Sequence, residues 1–160
     1  RTFEIVVPLY SRLMASGAGD NIEGIFGTTN WNYTLENDGT KAFVSSFEEE
    51  YDAPPSQAAH TAYVQTILYS DAVERAGTFN PIGVIKALEG HEVDGIGHEE
   101  TMLYRECDHQ AFHDILVVRG KAPSDRADEF DLLENVSNVP RADIEYDCDL
   151  FAGDLGPYEV

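Results

Sequence analysis

Eight side chains crowd one stretch of the sequence where a hydrolytic metal site could be built: His91, His98, His109 and His113, with Asp94, Glu99, Glu100 and Asp108. Imidazoles and carboxylates are donors that zinc accepts, and His109 and His113 stand four apart, as paired ligands on a helix do. That spacing needs a helix. The stretch around them reads as extended, and there the two rings would point the same way about 13 Å apart, at ~3.3 Å per residue. Solvated or hydrogen-bonded histidines are therefore the expectation, with no metal and no cofactor. No glycine-rich phosphate loop, no Gly-x-Ser-x-Gly elbow and no catalytic pairing of cysteine with histidine offers another reaction.

A second set of residues suits capture rather than catalysis. Tyr10 and Trp31 provide flat contact area with one polar group each, and Asn30 and Asn32 flank the tryptophan with amides. Their value depends on where the chain delivers them, because in open α/β sheets ligands sit beyond the carboxyl ends of the strands. Ile5-Val6-Val7 is a continuous β-branched run that suits a parallel strand covered on both faces, and Phe3 to Leu9 reads as buried. Ile22 to Thr29 reads as a second strand, reached through a short helix from Ser11 to about Ser16 and a turn at Gly17-Ala18-Gly19-Asp20. Leu9 and Tyr10 then follow one strand, and Asn30, Trp31 and Asn32 follow the other. Packing alone would also explain Tyr10 and Trp31.

Three successive helices come next. Asn37-Asp38-Gly39-Thr40 caps a helix with Phe43, Phe47 and Tyr51 on one face, and its other face carries Glu48, Glu49 and Glu50. Pro54-Pro55-Ser56 opens a long helix to Ala76, closed by Gly77, with Ala59, Ala62, Tyr63, Ile67, Tyr69 and Val73 as its apolar surface. Asn80-Pro81 starts the last, whose stripe is Ile82, Ile85 and Leu88 up to Gly90. After Gly95-Ile96-Gly97 the period turns to two, and Ile115-Leu116-Val117-Val118 reads as a closing strand. From Ala122 the chain is acidic and sparsely apolar, with Phe130, Leu132 and Leu133 fitting a short docked helix.

The 160 residues hold 30 Asp and Glu against 10 Lys and Arg, a formal charge of -20, and the lysines are Lys41, Lys86 and Lys121. Nucleic acid and anionic membranes both demand basic patches that this chain lacks. Self-repulsion on this scale destabilises a compact fold in dilute buffer, whereas molar salt, with a Debye length of ~3 Å, screens it. A host living in high salt is the expectation. The opening Arg1-Thr2-Phe3-Glu4 has no signal-peptide anatomy and starts like the middle of a longer protein, so the chain reads as a fragment. Cys107 and Cys148 are too few for a disulfide scaffold and lack zinc-site spacing; outside the cell they would pair, inside they would be free thiols.

The order of features carries a resemblance: Ile5-Val6-Val7-Pro8, Ala18-Gly19-Asp20, the run Glu23 to Trp31, then Phe43, Phe47 and Tyr51. Pro54-Pro55-Ser56 before a helix with Tyr63, Ala72-Val73-Glu74-Arg75-Ala76-Gly77, Ile85-Lys86-Ala87-Leu88-Glu89-Gly90, Asp94-Gly95-Ile96-Gly97 and Asp108-His109-Gln110 continue it to about residue 121. The chain resembles the C-terminal portion of an extracellular solute-binding protein of an ABC importer, branched-chain amino acid type. The resemblance implies an α/β chain, part of a two-lobed type I periplasmic-binding fold with parallel sheets flanked by helices. Residues 1–21 and 101–121 would then be pieces of the second lobe, 22–100 a crossover strand and helices of the first, and 122–160 an acidic tail. It also implies binding without catalysis, with Tyr10, Trp31 and Asn32 contacting a small polar solute and a Cys107–Cys148 disulfide. Its partner would be an ABC transporter permease, and the protein a monomer at the cell surface, tethered by an upstream lipid anchor. Amino-acid-binding relatives place a carboxylate after the first strand, but Pro8-Leu9-Tyr10-Ser11 has none. Either an upstream residue meets the ammonium group or the solute is an amide, urea or an aromatic acid, as in other relatives. A receptor's ligand-sensing domain shares the same clamp, and a metal-dependent hydrolase is the rival class.

Overall fold

The computed structural model describes residues 3–150. Strand β1 (Val6–Val7) runs parallel to β2 (Phe26–Thr29), pairing Val6 with Phe26 and Val7 with Gly27. The connection is helix α1 (Arg12–Ala18), whose first turn is capped by Ser11 Oγ accepting from the Met14 N–H, followed by a 3₁₀ turn over Gly19–Ile22. Leu9 adopts a left-handed φ of 58°, which folds the chain back so that the Tyr10 N–H reaches Thr28 O at 2.6 Å. Gly27 makes room for that return: a Cβ there would lie 2.2 Å from the Tyr10 Cβ.

Helix α2 (Asp38–Tyr51) starts where Asn37 Oδ1 accepts from Thr40 N at 2.8 Å, and α3 (Gln57–Ala76) where Ser56 Oγ accepts from Ala59 N at 3.1 Å. Helix α4 (Pro81–Leu88) takes Asn80 as its cap and proline in its first turn, where no intrahelical N–H is needed. Each such cap contributes about 1 kcal/mol. The buried face of α3 is His60, Val64, Leu68 and Ala72 at strict four-residue spacing, while Tyr63, Ile67 and Tyr69 are exposed. This corrects the sequence expectation for α3, in which the aromatic and isoleucine positions marked the inward face.

Two short antiparallel pairs form a three-stranded sheet from β3 (Glu92–Val93), β4 (Met102–Tyr104) and β5 (Ala111–Phe112), packed through Met102 on Val64 and Leu68 of α3. Strand β6 (Ile115–Gly120) returns to the main sheet, antiparallel to β2, and β7 (Leu133–Val139) pairs antiparallel with β6. The order is β1-β2-β6-β7, so the main sheet is mixed, with its parallel pair confined to β1 and β2. Its core joins Ile22, Trp31, Phe43, Leu116, Val118 and Leu132.

Two expectations are corrected here. The stretch after Lys121 is not a docked helix: Leu133 opens β7, Leu132 and Leu133 are buried, and Lys121 Nζ grips both oxygens of Asp131 at 2.7 Å. Cross-strand pairing supplies the cover that a separate helix would have needed. Farther on, Arg105 holds Asp108 and the Tyr146 carbonyl, lies 4.5 Å over the Phe112 ring, and the Cys107–Cys148 disulfide closes a span of 41 residues. The second correction concerns the opening strand, expected to be buried. Phe3 is 81% exposed, Val6 67% and Leu9 76%: β1 is the sheet's edge and pairs only with β2, and of its residues Val7 alone packs against the core. Among the described residues no helix is long and apolar enough to cross a membrane.

Candidate functional site

The carboxyl end of β2 is where a ligand is expected, and the backbone there is held by Thr29, whose hydroxyl donates to Trp31 O at 3.1 Å. Asn30 comes next and turns outward, donating its amide to Thr61 Oγ1 of α3 at 3.2 Å. It lines a cleft of about 110 Å³ together with His60, Thr61, Gln65, His98 and His113.

The neighbouring indole goes the other way. Trp31 is 1% exposed, stacks on His60 with centroids 4.3 Å apart and planes 6° apart, and meets Phe43 edge-on at 5.8 Å. Its Nε1 donates to Thr40 Oγ1 at 3.0 Å, and that hydroxyl donates to Gly97 O at 2.9 Å. Gly97 must be glycine on two counts, a φ of 97° and a would-be Cβ 2.7 Å from His60 Nε2. Asn32 is buried too, bonding Asn135 Oδ1 of β7 at 2.8 Å, and the buried Tyr10 hydroxyl has no partner among the described residues. Of the residues that the sequence places at the ends of these strands, Asn30 lines the cleft, whereas Tyr10, Trp31 and Asn32 are buried and do not.

Three imidazoles complete the cleft wall. The His60 and His98 rings meet edge to face at 5.2 Å, and His98 stacks on His113 at 3.8 Å. His60 bonds Ile96 O through Nε2 at 2.7 Å, and His113 bonds Asp114 O through Nδ1. Burial holds the His60 pKa down at about 4 despite its hydrogen bond to Ile96. Burial again, with His113 and His60 close by, brings His98 to about 3, and burial lowers His113 as well. All three are neutral at neutral pH.

The acidic and histidine set read from the sequence separates in space. His98 and His113 come together, but His91 sits 3.3 Å from Asp71 and His109 2.8 Å from Glu89. Asp108 is held by Arg105, Asp94 by the Thr101 hydroxyl, Glu99 by Asn37 and Glu100 by the Arg141 N–H. His60 and Asp114 were missed. His60 lies on a helix with no other polar residue on its buried face, and nothing in the sequence separates it from an exposed helical histidine.

The whole arrangement is a mixed sheet flanked by helices, with a small cleft of mixed polar and apolar lining at a strand's carboxyl end. The pattern of the periplasmic binding protein family matches residues 1–127. The chain belongs to that family. Its fold is similar to an amino acid ABC transporter substrate-binding protein from Pseudomonas fluorescens, with a TM-score of 0.77 at 20% identity, covering 86% of this chain and 37% of that one. It is also similar to a leucine-binding protein from Thermotoga maritima, with a TM-score of 0.70 at 18% identity over 90% of this chain and 39% of that one. A third is a solute-binding protein of an ABC transporter from Rhodopseudomonas palustris, in complex with 3,4-dihydroxybenzoic acid, with a TM-score of 0.72 at 15% identity over 86% and 37%. The chain therefore spans well under half the length of these structures. A comparison with curated protein sequences gave no match.

Proposed function

We propose that this chain is part of an extracellular solute-binding protein that captures a small polar solute, an amino acid or a related compound, and passes it unchanged to an ABC transporter permease. The observation that carries the reading is Asn30, half-buried at the carboxyl end of β2 on the wall of a cleft of mixed polar and apolar lining, in a chain of the periplasmic binding protein family. The cleft's space of about 110 Å³ suits one side of a two-sided clamp. In this reading residues 1–21 and 101–121 belong to the second lobe and 22–100 to the first, and the sheet joining β1, β2 and β6 is where the chain passes between them. Tyr10, Trp31 and Asn32 serve the solute as the packed layer that fixes Asn30, since direct contact would need exposure they do not have.

The similar structures include a leucine-binding protein and a solute-binding protein in complex with 3,4-dihydroxybenzoic acid, so the test is calorimetry of the full-length protein against amino acids, amides and aromatic acids. Saturable one-to-one binding with the solute recovered unchanged is expected. Turnover of any solute would overturn the non-catalytic reading.

The reading includes a high-salt habitat. With a net charge of -20, paired cations such as Arg119 with Glu134 at 2.6 Å and Arg126 with Asp20 at 2.9 Å leave most carboxylates without a cation. Melting temperature should rise steeply between dilute buffer and molar KCl, as screening removes the self-repulsion. Equal midpoints would remove this part of the proposal.

A further inference from the structure

We propose that His98, His113 and Asp114, backed by His60, form a binding site for a divalent transition-metal ion of the zinc type. One ligand atom from each of His98, His113 and Asp114 falls within 4.8 Å of the others, and Asp114 is buried. Tetrahedral zinc at ~2.1 Å from each ligand sets neighbouring ligands about 3.4 Å apart, so the cluster needs roughly 1 Å of closure by side-chain rotation.

The hydrogen bonding around the rings is what singles this cluster out from the other histidines of the chain. Metal-binding histidines hold one ring nitrogen on a backbone carbonyl or carboxylate, which fixes the tautomer and turns the other lone pair toward the ion. His113 donates Nδ1 to Asp114 O, leaving Nε2 for the ion. His98 is hydrogen-bonded to the Asn30 backbone, and its buried Nδ1 has no partner among the described residues. His60 donates Nε2 to Ile96 O, is 0% exposed, and its Nδ1 likewise has no partner among them. Asp114 is oriented by the Glu100 N–H on Oδ1 at 3.1 Å. A purely structural stack would leave these inward nitrogens with nothing to accept. An ion held by His98, His113 and Asp114 would satisfy the His98 ring, and the mixed imidazole and carboxylate set favours zinc, cobalt or nickel over magnesium or calcium.

The site joins three separate parts of the fold: helix α3 through His60, the β3–β4 connection through His98, and the approach to β6 through His113 and Asp114. The ion would clip the floor of the cleft. This does not depend on which solute the cleft takes, and the solute calorimetry and the metal titration can fail separately.

The test is titration of the full-length, tag-free, metal-stripped protein with Co²⁺ and then Zn²⁺. The expected result is one-to-one binding at micromolar affinity or tighter, visible absorption bands of tetrahedral Co²⁺ with nitrogen ligands, displacement by Zn²⁺, and no competition from millimolar Mg²⁺. His98→Gln and His113→Gln should each weaken binding at least tenfold, and His91→Gln, whose ring lies against Asp71 outside the cluster, should not. The wild-type Co²⁺ spectrum decides even where a variant folds poorly. Absence of saturable Co²⁺ binding, octahedral bands alone, or an affinity unchanged in both variants would overturn the site.

Discussion

Two stretches of this chain carry comparable apolar runs and end in opposite environments. Around Trp31, Phe43 and His60 the rings are stacked and sealed, with even the indole N–H and the Thr40 hydroxyl satisfied in sequence. From Phe3 to Met14 the side chains of Phe3, Ile5, Val6, Leu9, Leu13 and Met14 are exposed, although the strand among them pairs in register with β2. Hydrophobic pattern shows which residues seek cover, but the topology decides which receive it. At the centre, α2, α3 and the Gly95–Gly97 turn converge on one indole. At the edge, β1 has a neighbour on one side only.

The comparison is sharpest in stability. Replacing Trp31 with Ala removes a fully packed ring and the N–H that the Thr40 hydroxyl accepts from, and should cost about 3 to 5 kcal/mol. Chemical denaturation at fixed salt measures it. The Cys107–Cys148 disulfide ties the segment after β7 to the loop before β5, and closing a loop of that length contributes roughly 4 kcal/mol in the chain-entropy account. A Cys148→Ser variant should lower the denaturation midpoint accordingly, and a midpoint insensitive to reductant in the wild type would show that the bond does not constrain the chain.

Acid should act on the centre and not on the edge. His60 and His98 have folded pKa values of about 4 and about 3, below the ordinary 6.5, so the unfolded chain takes up protons first as pH falls. Their contribution to stability is complete above about pH 6.5 and is lost progressively as pH falls from there through 4 toward 3. Melting between pH 7 and 4 should show the loss, and His60→Phe should flatten part of it; an identical pH dependence in that variant would contradict the assignment. The smallest effect belongs to the edge, where Val6→Ala or Leu13→Ala should change the stability of this chain by no more than ~0.5 kcal/mol, since little contact is removed.

Much of the helical layer was legible because its signals are local. Asn37, Ser56 and Asn80 cap where capping residues precede periodic runs, and Gly77 takes the left-handed position at the end of α3. What escaped depends on partners distant in the chain. Leu132 and Leu133 look like a short helical stripe until β6 offers Gly120 as a pairing partner for Leu133. The inward face of α3 is His60, Val64, Leu68 and Ala72, less hydrophobic in type than the exposed Tyr63, Ile67 and Tyr69, so composition pointed to the wrong side. The strand end at Thr29 was readable, but whether Asn30 or Trp31 faces the cleft rests on the Thr40 and His60 contacts behind the indole.

That last distinction is also the most direct test of the functional account. Solute affinity of the full-length protein should be measured by calorimetry for wild type and Asn30→Ala, with melting curves alongside. Loss of one hydrogen-bonding side chain from the cleft wall should weaken binding by about 1 to 2 kcal/mol, some 5- to 30-fold, at a nearly unchanged melting temperature. An affinity identical to wild type for a solute that does bind would contradict the placement of the site at the end of β2.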